Sequence, residues 1–391
     1  MNLPADGAAA LRKLVWIAFL LRATVAVALY AADLESVFAP DHETYHFFSG
    51  WLARYWSGET VAYPWKLLED GPKAYYYIVA ALYSVFGDLE LVPKLVNAAV
   101  GALSIRLVHD LTLSIAESPA VALRAARFAT FFPSLVLWSA VNIRDCWVLL
   151  LILLICRHAM ALQERLSLAS LVLLVGSVAL VIQFRDYIFF AVTAPAVVSF
   201  LVRNRAHLVR NAILGMVLAS VIIYADRAAG SNRSLRSLDL ETLHEIRQGT
   251  AIGGSRFEPT ADISTPAKAA LFLPKGLAFF LLAPFPWTVG NLRQMLTVPE
   301  MLFFYTLLPA VAQGVVALVR HRLASSMMVL LITGGLTLGY ALGEANAGTA
   351  YRHRAQVLPF YLMFASVGIE RRRQRRLPAP AAVPARMAVA S

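Results

Sequence analysis

Long apolar runs recur along this chain, and they constrain its fold more than any other feature. Examples are "WVLLLILLIC" at 147–156 and "MMVLLITGGLTLGYAL" at 327–342. A helix needs about 20 mostly apolar residues to cross the hydrocarbon core of a bilayer. With 59% hydrophobic and 15% charged residues, the chain is far more apolar than a soluble domain of its size. We therefore predict an all-α polytopic transmembrane helical bundle and disfavour a soluble helical core.

The distribution of basic residues predicts the orientation of this bundle. Lys and Arg collect in cytoplasmic loops and contact anionic membrane lipids, so the net charge of +11 does not imply nucleic acid. Residues 1–370 are expected to form one transmembrane domain with an uncleaved first span, and 371–391 a basic, Pro/Ala-rich cytoplasmic tail. About ten spans place the basic clusters inside: 14–32, 91–112, 119–140, 146–162, 166–183, 187–202, 209–226, 300–319, 324–343 and 353–370.

Two long outer loops are predicted, over 33–90 and 227–299. They contain three short, aromatic apolar stretches at 44–57, 73–86 and 269–286. As spans, these stretches would place basic clusters outside, so we predict juxtamembrane or re-entrant helices on the outer face. Short true spans at 73–86 and 269–286 remain an alternative.

Asp41 follows the first span, in "FAPDHETYHFFSGWLARYW", and is the first candidate catalytic residue. A carboxylate at the membrane surface can act as a general base towards an acceptor hydroxyl or amine. The alternative is that Asp41 caps the helix that follows it. Tyr45, four residues further on, is a candidate for substrate binding.

Asp145, in the turn "VNIRD" between two spans, is the second candidate catalytic residue. The predicted topology places it on the same side of the membrane as Asp41. Arg144 and Arg185 lie at the same outer edge and are candidates for substrate binding. The alternatives are local ion pairs, of Arg144 with Asp145 and of Arg185 with Asp186.

Four further outer-face cations are candidates for binding a phosphate group that leaves during the reaction: Arg256, Lys275, Arg352 and Arg354. Arg352 and Arg354 are the sharpest candidates because they lie outside, against the positive-inside trend. We expect one of these two to face a cavity and the other to face lipid. Snorkelling of both towards lipid phosphate is the alternative.

The sequence establishes no cofactor, and a divalent cation remains open. We find no P-loop, no Rossmann glycine pattern and no full set of His/Cys metal ligands. His42 and His46 are spaced to lie on one helix face, as in some zinc sites, but the sequence shows no third ligand. We therefore predict no metal ligands from the sequence.

Four segments resemble the GT-C integral-membrane glycosyltransferases, the class that includes protein O-mannosyltransferases and the lipid A aminoarabinose transferase. They are "PDHETYHFFSGWLA", "GPKAYYYIVAALYSVFGDLELVPKLVNAAVGALSIRLVHDL", "FPSLVLWSAVNIRDCWVLLLILL" and "YRHRAQVLPFYLMFASVGI". Similar proteins carry an acidic residue in each of the first two outer loops, which Asp41 and Asp145 match. They also place a basic residue, here Arg352 or Arg354, near the lipid phosphate.

The resemblance implies a glycosyltransferase of bacterial inner or plasma membrane with an extracytoplasmic active site. The donor would be a polyprenyl-phosphate sugar, and the acceptor a glycan, lipid or protein. Asp41 would deprotonate the acceptor. The alternatives are a polysaccharide polymerase or ligase, a lipid-linked-glycan flippase or transporter, and a non-catalytic scaffold. A transporter would show inverted internal repeats, whereas a scaffold would not need paired outer carboxylates.

Overall fold

The protein is described here from a computed structural model, which describes residues 5–59, 62, 73–202, 213–216, 220, 240–251, 256–290 and 292–376. The helices are α1 Ala5–Ala31, α2 Glu35–Phe38, α3 Asp41–Trp56, α4 Lys73–Phe86, α5 Leu91–Ala116, α6 Pro119–Phe131, α7 Pro133–Leu137, α8 Asp145–Glu164, α9 Leu168–Phe184, α10 Asp186–Val202, α11 Leu240–Thr250, α12 Pro266–Leu282, α13 Leu292–His321, α14 Leu323–Gly343 and α15 Ala347–Arg376. Over these described ranges there is no strand beyond one isolated bridge between Arg256 and Asn346, which confirms the all-α prediction.

Five of the described helices are long and apolar enough to cross a membrane: Asp6–Ala31, Leu91–Ala116, Asp145–Glu164, Leu292–His321 and Leu323–Gly343. Each overlaps a predicted span. Leu168–Phe184 and Ala191–Phe200 are shorter apolar helices. The predicted span 209–226 lies almost wholly outside the described residues, so the number of ten spans stays a prediction.

The predicted span 119–140 is wrong as a single helix. Its helix ends at Phe131, a short helix follows at Pro133–Leu137, and the chain then turns. Phe132 is extended, with φ −69° and ψ 120°, because the ring of the following proline disfavours the helical conformation there. The break directs the residues before Asp145 into a buried turn.

The juxtamembrane stretches are helical in the structure. The predicted segment 73–86 coincides with α4, and the segment 269–286 overlaps α12. The bounds of the segment 44–57 differ from those of α3 by less than one helical turn. Helices α3 and α4 pack on each other through aromatic rings, with the centroids of Tyr45 and Tyr75 5.0 Å apart. Their lengths of 16 and 14 residues are short for a crossing helix.

Helices α13 and α15 pack closely because glycines line their contact. A methyl group added at Gly314 would overlap the carbonyl group of Phe364, and one at Gly368 would overlap that of Ala310. Small residues let membrane helices approach in this way. The close contact fixes α15, which carries Arg352 near its N-terminus.

Candidate active site

Arg352 joins the two aspartates that the sequence singles out. Its Nη1 donates to Asp41 Oδ2 at 2.6 Å, and its Nε donates to Asp145 Oδ2 at 2.7 Å. Its Nη2 also lies 2.6 Å from Asp145 Oδ2. The Asp145 side chain is 2% exposed, whereas that of Asp41 is 55% exposed. One guanidinium group therefore bridges a buried carboxylate and an accessible one.

Asp145 has two further partners on its other oxygen. Arg185 Nη2 lies 3.2 Å from Asp145 Oδ1, and Gln356 Nε2 donates to the same oxygen at 3.0 Å. A buried carboxylate needs such pairing, because an uncompensated charge in the interior is costly. The two arginines balance the two aspartates, so this four-residue cluster carries no net charge.

The turn that carries Asp145 is held by Asn97 of α5. Asn97 Nδ2 donates to the carbonyl groups of Val141 at 2.8 Å and Ile143 at 2.9 Å. The indole of Trp147 donates to Asn97 Oδ1 at 2.8 Å. Tyr75 donates to the side chain of Asn142, also at 2.8 Å. The position of Asp145 is thus set by side chains as well as by its own helix.

The start of α15 positions Arg352 through its neighbours. His353 pairs with the carboxylate of Glu344. Burial raises the pKa of Glu344, but the contact with His353 lowers it more, so the pKa of Glu344 lies below its usual value. Tyr340 donates to Gln356 Oε1 at 2.5 Å. These buried contacts leave α15 little freedom to rotate, which fixes the direction of the guanidinium group.

A cleft of about 760 Å³ opens beside this cluster, and Asp41 and Arg352 form part of its wall. Its apolar wall includes Phe38, Leu137, Trp138, Leu292 and Leu296. This is the mixture of apolar walls and a few polar groups that small-molecule sites share.

Arg293 also lines this cleft, and the sequence analysis missed it. Among the described residues, no carboxylate lies within ion-pair distance of Arg293, and its side chain is exposed. Within the described part of the chain it thus has no ion-pair partner, whereas Arg352 pairs with two aspartates. The only sequence signal was its place in a predicted outer loop, which several other cations share.

Tyr45 and Arg144, two other predicted site residues, have surroundings that the structure describes. Tyr45 is buried against Tyr75 and Tyr76, and burial raises the pKa of Tyr76 to about 12, which keeps it protonated. Arg144 precedes Asp145 at the N-cap of α8. The local ion pair of Arg144 with Asp145 is not observed, because Asp145 pairs with Arg352 and Arg185. The alternative pair of Arg185 with Asp186 stays a prediction. Asp186 lies outside the residues whose side chains are described.

Arg256 lies between α11 and α12, and Lys275 lies within α12. The backbone of Arg256 forms an isolated antiparallel β-bridge with Asn346, which lines the cleft. Lys275 Nζ lies 2.6 Å from Glu258 Oε1, so its charge is already paired. The structure therefore brings Arg256 to the cleft's edge and gives Lys275 a partner of its own.

Arg354 does not face lipid, contrary to the expectation for one of the two arginines of "YRHR". It is 3% exposed and donates to the carbonyl groups of Leu281, at 3.1 Å, and Ala283. These carbonyl groups belong to the end of α12, which lacks further intrahelical donors there. Arg354 thus ties α15 to α12.

Asp41 does not cap α3 with its side chain. The helix begins at Asp41 with Pro40 in the N-cap position, and the Asp41 carboxylate contacts Arg352 instead. Next to it, Glu35, His42 and Glu90 converge closely enough to hold a metal ion. Glu35 and Glu90 are candidate ligands that the His42–His46 spacing did not show, and His46 is not one of the three.

Comparison with solved structures identifies the architecture. The chain matches the crystal structure of ArnT from Cupriavidus metallidurans bound to undecaprenyl phosphate, with a TM-score of 0.54 and 17% sequence identity. The chain has the fold of ArnT. The match covers 90% of this chain and 60% of the ArnT chain, and it confirms the predicted fold of a helical membrane protein. No protein-family model and no curated protein sequence matches the chain.

Proposed function

We propose that this protein is a membrane glycosyltransferase that moves a sugar from a polyprenyl-phosphate donor to an extracytoplasmic acceptor. One observation carries the proposal: Arg352 holds an exposed carboxylate, Asp41, beside a buried one, Asp145, at the wall of a 760 Å³ cleft. The ArnT structure supports it, because a protein of the same fold there holds undecaprenyl phosphate.

Binding of the donor phosphate would change the partners of Arg352. Arg352 meets Asp145 through two nitrogens and Asp41 through one, and Asp41 is the more exposed of the two. A phosphate group entering the cleft can therefore replace Asp41 at Nη1 while the contact with Asp145 persists. Arg293 offers the phosphate a second guanidinium group from another wall of the cleft.

The released Asp41 carboxylate would then act as the general base. It takes the proton of the acceptor hydroxyl or amine as that atom attacks the anomeric carbon. The bond between the anomeric carbon and the phosphate oxygen breaks, and the electron pair leaves with the lipid phosphate. Arg352 and Arg293 stabilise the negative charge on this leaving group. Attack opposite the leaving group inverts the anomeric configuration.

The remaining predicted residues would support this reaction. Asp145 holds Arg352 in place, and Arg185 and Arg144 keep the surroundings of Asp145 positive. Tyr45 packs behind Asp41 on α3. We assign Arg256 and Lys275 to the acceptor side of the outer loop and propose a bacterial inner-membrane location with the cleft on the extracytoplasmic face.

Arg354 fits a different role from the predicted one. Its guanidinium group is occupied by carbonyl groups and Met301, so we propose that it shapes the cleft by fixing α12 and does not contact phosphate.

Native mass spectrometry of the purified protein with undecaprenyl phosphate tests the donor site. We expect one bound lipid per chain. The affinity for this lipid should fall at least 10-fold in Arg293→Ala and stay unchanged in Arg373→Ala, which replaces an exposed arginine near the C-terminal end of α15. Equal binding by all three proteins would remove the cleft as the donor site.

A further inference from the structure

A cluster of ionisable side chains lies beside the aspartate site, where α2, α3 and the start of α5 meet. It consists of Glu35, His42, Glu90 and Lys94. One ligand atom from each of Glu35, His42 and Glu90 lies within 4.8 Å of the other two. We infer that these three side chains bind a divalent metal ion of the zinc class. The mechanism proposed above does not use this cluster.

The surroundings of His42 point to an ion. His42 is 8% exposed, and neither of its ring nitrogens makes a hydrogen bond among the described residues. Its Nδ1 lies 3.6 Å from Glu35 Oε2 and 3.6 Å from Glu90 Oε2. These separations are too long for hydrogen bonds. They are close to the separation of roughly 3.3 Å between two ligands of a tetrahedral zinc ion with bonds of about 2.0–2.1 Å.

The charges of the cluster also favour a divalent cation. Glu35, Glu90 and the nearby Asp88 carry three negative charges, and Lys94 supplies one positive charge when His42 is neutral. Lys94 contacts both glutamates, so its ammonium group competes with an ion for their oxygens. The ring of Tyr30 lies 4.7 Å from the ammonium nitrogen. Ion binding would shift the ammonium group of Lys94 towards this ring.

Neighbouring side chains complete the outer part of the site. His46 Nε2 lies 3.5 Å from Glu90 Oε1, and His46 Nδ1 lies 2.9 Å from the hydroxyl group of Tyr83. Partners of this kind orient ligands and raise metal affinity. Three protein ligands leave the fourth tetrahedral position to water.

An ion at this position would connect the two segments that carry the aspartates. His42 follows Asp41 in the chain. Glu35 Oε1 accepts the amide of Asn142 at 2.5 Å, in the turn before Asp145. The ion would therefore be structural, fixing the start of α3 against this turn. Metal binding itself does not depend on the proposed glycosyl transfer and is measured without it.

Metal analysis of the full-length protein purified in detergent tests the inference. After incubation with Zn²⁺ and removal of excess metal, we expect one equivalent per chain in the wild type and in His321→Ala, which replaces an exposed histidine at the end of α13. His42→Ala and Glu90→Gln should fall to background. A wild type without bound zinc, or a His42→Ala protein that keeps it, would overturn the inference.

Lys94→Met separates the ion from the ammonium group and covers the case in which His42→Ala fails to fold. If Lys94 only competes with the ion, the variant should bind Zn²⁺ at least 10-fold more tightly than the wild type. If the ammonium group is the permanent cation of this cluster, the variant gains no affinity, and the inference fails.

Discussion

Arg352 Nη1 lies 2.6 Å from Asp41 Oδ2, although 311 positions separate the two residues in the chain. The contact joins two distant parts of the helical bundle, because Asp41 begins α3 and Arg352 lies in the second turn of α15. It also places the proposed base and the proposed phosphate-binding group in one cleft, as transfer from a phosphate-linked sugar would require.

The two arginines of the cleft should differ in their effects when they are replaced. Arg293→Ala should raise the donor KM about 10-fold or more with little effect on the thermal stability of the protein, because Arg293 is exposed. Arg352→Ala leaves the buried Asp145 with one cation fewer, so it should cost about 3–5 kcal/mol of stability as well as activity. Steady-state kinetics and thermal unfolding in detergent measure both. Equal loss of stability in the two variants would contradict this division.

Asn97 should act as a positioning residue for Asp145. Asn97→Ala leaves the carbonyl group of Ile143 without the amide donor of Asn97, at about 1–3 kcal/mol for an unsatisfied group, whereas the Val141 carbonyl keeps the backbone N–H of Ile143. We expect kcat to fall at least 10-fold while the donor KM changes little, since the cleft wall is intact. Thr333→Val, which removes another buried hydrogen bond on α14, is the control and should lower stability alone. A kcat loss of the same size in the control would exclude the positioning role.

The contact between α13 and α15 should tolerate no side chain at its glycines. Gly314→Ala forces a methyl group against the carbonyl group of Phe364 and should lower stability by about 1–3 kcal/mol. Gly339→Ala on α14 meets open space and should be neutral or stabilising, because alanine favours helices by about 1 kcal/mol over glycine. Thermal unfolding of the two variants checks this. A destabilised Gly339→Ala with an unaffected Gly314→Ala would refute the packing argument.

The proposed orientation predicts the side of the membrane on which reporters are found. Reporters fused after Gly254 and after Ala347 should lie outside, and one fused after Gln374 inside, because of the charge bias of the loops. Fusions to periplasmic and cytoplasmic reporter enzymes measure this. Reporters after Gly254 and Gln374 that read the same side would show that the span count is wrong by one.

Much of the fold follows from local sequence patterns. Apolar runs predicted the helices, and the amphipathic stretch 73–86 gave the bounds of α4. The break after α6 was missed because apolar residues continue through Pro133, so that the hydrophobicity does not change where the backbone does.

The site is harder to predict, because it depends on contacts between distant segments. Its place in a predicted outer loop, against the positive-inside trend, indicated Arg352. Its two aspartate partners, however, lie 311 and 207 positions away in the sequence. Arg354 has the same local sequence signal as Arg352, and only the packing of α12 shows that its guanidinium group is occupied by carbonyl groups. Arg293 was missed because its position in the wall of the cleft is a property of the folded chain, which its local sequence does not indicate.

Lipid extracts of a strain lacking this protein test the central claim most directly. We expect a polyprenyl-phosphate sugar to accumulate in the deletion strain and to disappear when the wild type is restored. Asp41→Asn should leave it accumulated, since losing a general base costs about 10²–10⁴-fold in rate. Asp262→Asn, which replaces an exposed aspartate paired with Lys268, should restore the wild-type lipid profile. Clearance of the sugar lipid by Asp41→Asn at normal expression would contradict the account.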